Sequence, residues 1–308
     1  MFGDYYIGER GYISMIQDVL TQGVNVPDRT GVGCKALFDA KVVYPNIEQI
    51  FPFSTVRPAP FRMAFEEFSM FLRGETQTKQ LEDKGIYFWQ PQTTREFLDN
   101  RGLHYVPEGN IHKAYSFQFR NFGGKKIYYE NGPEINFGGV DQLTQVYESL
   151  RDNPYSRRHY ISFWNPSQLD EMALPPCWYA HQFVVLPDDE TGEDTLHLKL
   201  FNRSLDCVFG FSFAIQQYAF YQLAMAKMVN MKPGSLIADL SHIHIYENQL
   251  EYSNELVKRD FGEPGTLTIN KKLNTLDDLI NLKYEDFEIN NLVVNRSQFK
   301  TPKPEMAI

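Results

Sequence analysis

The run 209–231 sets the strongest limit on what this chain can become. It is almost wholly apolar, interrupted by Gln216, Gln217, Gln222 and Lys227. Those polar groups argue against a membrane span, so the run predicts a long buried helix over 213–231. A helix without a solvated face needs other elements to cover it, and the chain supplies them. In 195–201, Leu196, Leu198 and Leu200 alternate with His197 and Lys199, the period of a half-buried strand. Segments 160–164 and 179–186 also read as strands. Residues 59–73 place Phe61, Phe65, Phe68 and Leu72 at helical spacing, and 141–151 is another helix candidate. Helices and strands mix, with hairpin-like succession between 179 and 201, which predicts an α+β or mixed α/β class.

At 308 residues the chain can bury a substantial core, as one large domain or two small ones. No repeat, low-complexity tract or Ser/Gly linker divides it. The turn-rich stretches 122–135 and 187–194 read as surface loops, so one domain over 1–308 is expected. With 43% hydrophobic and 22% charged residues, the composition is that of a soluble globular protein. The first residues show no basic run followed by an apolar one, so no secretion signal is expected. Cys34, Cys177 and Cys207 are an odd set without framework spacing. They fit a reducing compartment, with no disulfide scaffold and no zinc or other metal site expected. A net charge of −9 argues against a general nucleic-acid surface. It leaves room for a small anion held by a few local cations. Most of the aromatic residues, 15% of the chain, are expected in the core, a minority forming a platform for a flat heterocycle.

Cys177 is set as a nucleophile would be. Pro175 and Pro176 fix the backbone before it. Arg157-Arg158-His159 and Asn202-Arg203-Ser204-Leu205-Asp206 flank it in sequence, and guanidinium groups favour a thiolate. The common alternative is a free cysteine that is merely a small buried hydrophobe. Glu67 is a second candidate. On a helical wheel Glu66 shares its side with Arg62, Ser69 and Arg73, whereas Glu67 shares its side with Met63, Ala64 and Phe71. Glu66 is therefore expected in solvent and Glu67 towards the interior, where a carboxylate suits proton relay. Arg29, Arg157, Arg158 and Arg203, with the Ser204 hydroxyl, suit a phosphate monoester. Each alone reads equally as a surface ion pair. His244 and Tyr246 alternate on one strand face, where an imidazole and a phenol can together reach a sugar hydroxyl.

These blocks resemble the thymidylate synthases and the related pyrimidine-nucleotide hydroxymethylases. The resemblance runs from Asp28-Arg29-Thr30-Gly31 through Phe71-Leu72-Arg73-Gly74-Glu75-Thr76, Ser156-Arg157-Arg158 and Trp164-Asn165-Pro166. It continues through Met172-Ala173-Leu174-Pro175-Pro176-Cys177, Arg203-Ser204-Leu205-Asp206, Tyr218-Ala219 and His244-Ile245-Tyr246 to Met306-Ala307-Ile308. It implies a homodimer formed through a bent mixed sheet flanked by helices, a pyrimidine nucleoside monophosphate as substrate and 5,10-methylenetetrahydrofolate as cosubstrate. Cys177 would add to C6 of the base, making C5 a carbon nucleophile. Glu67, Arg203 and Tyr115 complete the implied catalytic group. Arg29, Arg203 and Ser204 would hold the phosphate, with Arg157 and Arg158 reaching across from the other subunit. Asn202 stands where the family has a phosphate-side Gln. His244 and Tyr246 would hold the sugar 3′-hydroxyl. Trp89, Leu174, Asp206 and Ala307 would line the folate site, Asp206 also facing the nucleotide. A cytoplasmic location is expected, or the host cytoplasm if the chain is phage-encoded.

The chain departs from the family's methylating members near the base. Trp178 follows Cys177 where they have His, and Ala214 stands where an Asn pairs with uracil O4 and N3. Gln92 replaces a second Trp beside the folate platform. These changes favour hydroxymethylation of deoxyuridylate or a cytidylate over thymidylate synthesis, the alternative outcome. Two further classes are a cysteine hydrolase, which lacks a His next to the thiol and an oxyanion motif, and a non-catalytic nucleotide- or RNA-binding relative.

Overall fold

The computed structural model describes residues 5–28, 30–129, 134–302 and 304. They divide into two compact units. One comprises the residues up to Phe65 and those from Gln182 onward, the other Glu66–His181.

The first unit is built on a mixed sheet. Its longest strand, Lys232–Tyr246, pairs antiparallel with Cys34–Tyr44 and parallel with Asp194–Asn202. Tyr5–Ile7 adds a parallel strand beyond Cys34–Tyr44, and the short strand Leu205–Asp206 lies parallel to Ile243 and His244. In Asp194–Asn202 the leucines at 196, 198 and 200 are buried while His197 and Lys199 are half-buried, the expected alternation. Between Pro233 and Leu236 the register shifts, and Ser235 N–H donates to His197 Nδ1 at 3.0 Å. Only glycine fits beside this irregularity, because a Cβ on Gly234 would lie 2.6 Å from His197 Nδ1.

Helices Gly8–Gln22 and Gly210–Met228 pack on this sheet. Tyr12 of the first stacks on Phe211 of the second at 4.7 Å and donates to the Cys207 carbonyl. Gln216, Gln222 and Lys227, among the polar interruptions of the apolar helix, satisfy backbone carbonyls. Gln216 Nε2 donates to Ser212 O and Ala59 O, Gln222 Nε2 to Leu196 O and Gly234 O, and Lys227 Nζ to Ile269 O. A buried carbonyl without a donor is costly, so the two glutamines belong to the core, while Lys227 reaches its carbonyl from an exposed position. The helix starts three residues before the predicted position because the Asp206 carboxylate accepts the Val208 and Phe209 N–H groups. It stops at Met228, where Asn230 turns to φ 56°. Among the described residues no helix is long and apolar enough to cross a membrane.

The second unit contains the latter part of helix Phe61–Arg73, the helices Tyr115–Asn121 and Gln142–Asp152, and the strand Tyr160–Ser162 beside the start of Trp178–Pro187. Gly74, at φ 73°, ends the first of these helices, returning its N–H to Phe71 O. Asp141 caps Gln142–Asp152 by accepting from Thr144 N–H. The expected loop at 122–135 instead contains a small hairpin, Lys125–Ile127 against Ile135–Phe137. Its strands are too short and too mixed in polarity to show an alternation. Residues 130–133, between these strands in sequence, lie outside the described residues.

This unit holds two buried histidines with an acid liability. His181 lies against the Phe119 and Phe163 rings, 5.9 and 5.7 Å away, and burial pushes it down to about 3. His112 is pushed to about 3 by burial and then by Lys113 and Lys126. An unfolded histidine takes up its proton near 6.5. The folded state refuses that proton, so this contribution to stability is whole above about pH 6.5 and is lost as pH falls towards 3. Tm measured by calorimetry is expected to decline on acidification below about pH 6.5, and less steeply in His181→Phe.

Candidate active site

Cys177 is half-buried and directly precedes strand Trp178–Pro187. Its backbone N–H donates to the Tyr115 hydroxyl at 2.8 Å, and Trp178 N–H approaches the same oxygen at 3.3 Å. The prolines hold one side of the cysteine and this phenol holds the other. Tyr115 opens helix Tyr115–Asn121, and its ring stacks on Phe71 at 5.1 Å with Trp89 edge-on at 6.1 Å. Trp89 is buried, and its indole N–H donates to Glu67 Oε1 at 2.7 Å. Glu67 lies one helical turn before Phe71. The unit Glu66–His181 thus joins Glu67, Trp89, Phe71, Tyr115 and Cys177 in one connected frame.

The neighbouring glutamates differ from the helical-wheel expectation. Glu66 is only 9% exposed and pairs with Lys84 Nζ at 2.5 Å, while Glu67 is half-buried. Ser69, expected on a solvated side with Glu66, is also buried. A wheel sees only its own helix, and Lys84 covers Glu66 from another segment.

The loop before the nucleophile is tied down as well. His112 bridges Met172, and Arg101 Nε donates to Met172 O at 3.0 Å. Leu174, further along this loop, is half-buried. Arg157 and Arg158 lie exposed on the turn after helix Gln142–Asp152. A cleft of about 280 Å³ adjoins Arg158, Tyr160, Gln142 and Phe122, and Cys177 is not among its lining residues.

The remaining described phosphate candidates and the sugar candidates belong to the other unit. Asn202 ends its strand and is 1% exposed. Its Oδ1 accepts from Ser204 N–H at 2.8 Å, closing a turn that presents Arg203 and Ser204 half-buried, and its Nδ2 has no partner. Asp206 uses both carboxylate oxygens locally, one on the helix amides and one on Gln249 Nε2 at 2.9 Å. Whatever it offers a ligand must come from the lone pairs left over. His244 is buried, edge-on to the Tyr246 ring at 4.9 Å, so the two do share a strand face. Burial lowers the basicity of His244, Asp206 opposes that shift, and His242 adds to it. Ala214 is 5% exposed on helix Gly210–Met228.

Arg29 and Ala307, with Met306 and Ile308, lie outside the described residues. The Asp28 carboxylate beside Arg29 accepts from Thr30, Gly31 and Gly33 N–H groups and so shapes that turn. Two features escaped the residue-level reading. The Trp89–Glu67 bond spans a stretch of chain no local pattern covers. His242 precedes His244 and Tyr246 at the same two-residue spacing, a signal that was present in the sequence.

The thymidylate synthase family matches this chain over residues 10–302. Human thymidylate synthase is 34% identical over 301 residues, covering 98% of this chain and 91% of that protein. Thymidylate synthase of Saccharomyces cerevisiae is 34% identical over 285 residues, covering 91% of this chain and 92% of its own length. A bifunctional dihydrofolate reductase-thymidylate synthase of Paramecium tetraurelia is 36% identical over 281 residues; the match takes in 91% of this chain and 58% of that protein's length. With a family match across nearly all of its length and these relatives beside it, the chain belongs to the thymidylate synthase family.

Proposed function

We propose that this chain transfers a one-carbon unit from methylenetetrahydrofolate to C5 of a pyrimidine nucleoside monophosphate, and that the product is thymidylate made from deoxyuridylate. The observation that carries the reading is the anchored Cys177, whose N–H is fixed on Tyr115 in the same frame as Glu67. Relatives that align with most of this chain are named thymidylate synthase, which supports methylation as the outcome.

Methylenetetrahydrofolate, the cosubstrate of thymidylate synthases, supplies when bound the one-carbon unit and the hydride that reduces it. The residues fit such a group by stacking and apolar contact. Trp89 has committed its N–H to Glu67, so its ring serves a heterocycle as a surface and not as a donor, and Leu174 adds apolar contact. In this reading the Cys177 thiolate bonds to C6 and the C5–C6 π pair is used by C5 to bond the one-carbon unit. Loss of the C5 proton releases tetrahydrofolate, and hydride added to the resulting exocyclic methylene restores the C5–C6 double bond and expels the thiolate. Glu67, held in orientation by Trp89, relays protons at the base. Arg203 and Ser204 hold the phosphate, and His244 with Tyr246 the sugar hydroxyl. Pairing of two copies through the sheet is supported by Phe38, 86% exposed, and by exposed Val184 and Leu186.

A second reading, hydroxymethylation, is favoured by Ala214. Its methyl cannot bond to O4 and N3 of uracil, which removes a direct choice of uracil over cytosine. Ala214→Asn is expected to raise the kcat/KM ratio for deoxyuridylate over deoxycytidylate by roughly 10–100-fold, read from competition between the two. Product analysis with dUMP, dCMP and CMP in turn decides the outcome. Dihydrofolate absorbance rising with thymidylate supports methylation. A 5-hydroxymethyl nucleotide without dihydrofolate overturns it in favour of the second reading.

A further inference from the structure

His242 and His244 stand two residues apart on strand Lys232–Tyr246, and their Nδ1 atoms are 3.2 Å apart. A neutral imidazole carries one N–H, so a bond between two Nδ1 atoms needs a proton on one and a lone pair on the other. The two rings are therefore locked in opposite tautomers. The bond ties the two rings together: if His244 Nδ1 donates, its Nε2 accepts, and if His244 Nδ1 accepts, its Nε2 donates, with His242 in the opposite tautomer.

The surroundings make His242 the group that sets this state. His244 is buried, and its ring plane is held by Tyr246 edge-on at 4.9 Å, while His242 is half-buried. On the antiparallel neighbour, the positions opposite His242 and His244 are Phe38 and Ala36, which carry no titratable group. On the parallel neighbour, Asp206 lies opposite His244, but its oxygens are taken by Val208 N–H, Phe209 N–H and Gln249 Nε2. Asp206 and the Asp28 carboxylate act on His244 through their charge. Burial keeps the ring neutral at pH 7, so a tautomer is what remains to be chosen.

We infer that His242 is a positioning residue for the sugar: through its Nδ1 bond it fixes the tautomer with which His244 meets the nucleotide 3′-hydroxyl. The inference rests on the proposed contact between His244 and the sugar. The bond also holds the His244 ring in one orientation, so its Nε2 meets the hydroxyl without first being ordered.

The test is a cycle between protein and ligand. Affinities of wild type, His242→Phe and His242→Gln are measured by equilibrium dialysis for the 2′-deoxynucleotide and its 2′,3′-dideoxy analogue, each as uracil and cytosine forms. Removing the 3′-hydroxyl is expected to weaken binding to wild type by about 10-fold, the worth of one well-placed hydrogen bond. In His242→Phe that penalty should shrink to within about 2-fold, and in His242→Gln, whose amide can again bond to Nδ1, most of it should return. A general packing defect would weaken both ligands alike and leave the penalty intact, which overturns the inference. An undiminished penalty in folded His242→Phe does the same while leaving the sugar contact standing. No penalty in wild type overturns both the inference and the sugar contact beneath it.

Discussion

Cys177→Ala should lose turnover by at least about 10⁴-fold in kcat while binding the nucleotide within a few-fold of wild type. C5 of a pyrimidine is a poor nucleophile until a group has added at C6, and no other described thiol is placed to substitute. Cys34 and Cys207 are buried, and burial pushes both of their thiols up, Cys34 further under the charges of Asp28 and Glu247. Binding should survive because the proposed phosphate and sugar contacts come from Arg203, Ser204, His244 and Tyr246. The Tyr115 hydroxyl bonds to the backbone N–H of Cys177, so the loop keeps its anchor when the sulfur is removed. Single-turnover kinetics alongside nucleotide dialysis would separate the two effects. A variant that retained turnover would remove covalent catalysis from the account.

Glu67→Gln should lower kcat by roughly 10²–10⁴-fold, the range for loss of a positioned proton-transfer group. The substitution keeps volume and an oxygen that can accept from Trp89 Nε1, so the frame of Trp89, Phe71 and Tyr115 is retained. The loss should therefore fall on kcat with little change in nucleotide KM. Equal losses in kcat and in thermal stability would indicate that Glu67 serves to hold Trp89 in place.

Parts of this architecture were legible because they rest on local periodicity. The phenylalanines of 59–73 predicted helix Phe61–Arg73, and the leucine alternation predicted strand Asp194–Asn202, each within two residues. The apolar run 209–231 was legible as a buried helix because its glutamines were too few to make a solvated face. What they do could not be read, since Gln222 answers carbonyls of Leu196 and Gly234 on two strands. The same limit applied at the site. Resemblance pointed to Cys177, Glu67, Trp89 and Tyr115 one by one, but not to the bonds between them. Tyr115 meets the Cys177 amide across 62 residues and Trp89 meets Glu67 across 22, separations that no periodicity records. The solvent position expected of Glu66 fails for a related reason, because its ion pair with Lys84 lies off its helix. His242 is the opposite case. Its spacing was plain, but only the 3.2 Å approach to His244 gives it a consequence.

The central claim is that Cys177 attacks C6 while a folate delivers carbon to C5. It is tested most directly by intact-protein mass after incubation with 5-fluoro-deoxyuridylate and methylenetetrahydrofolate, since fluorine at C5 cannot leave as a proton does. The account predicts a mass gain equal to nucleotide plus folate, mapped to the peptide containing Cys177 and absent from Cys177→Ala. Binding of fluorinated uracil and cytosine nucleotides with no covalent gain from either would contradict it and favour a binding protein over an enzyme.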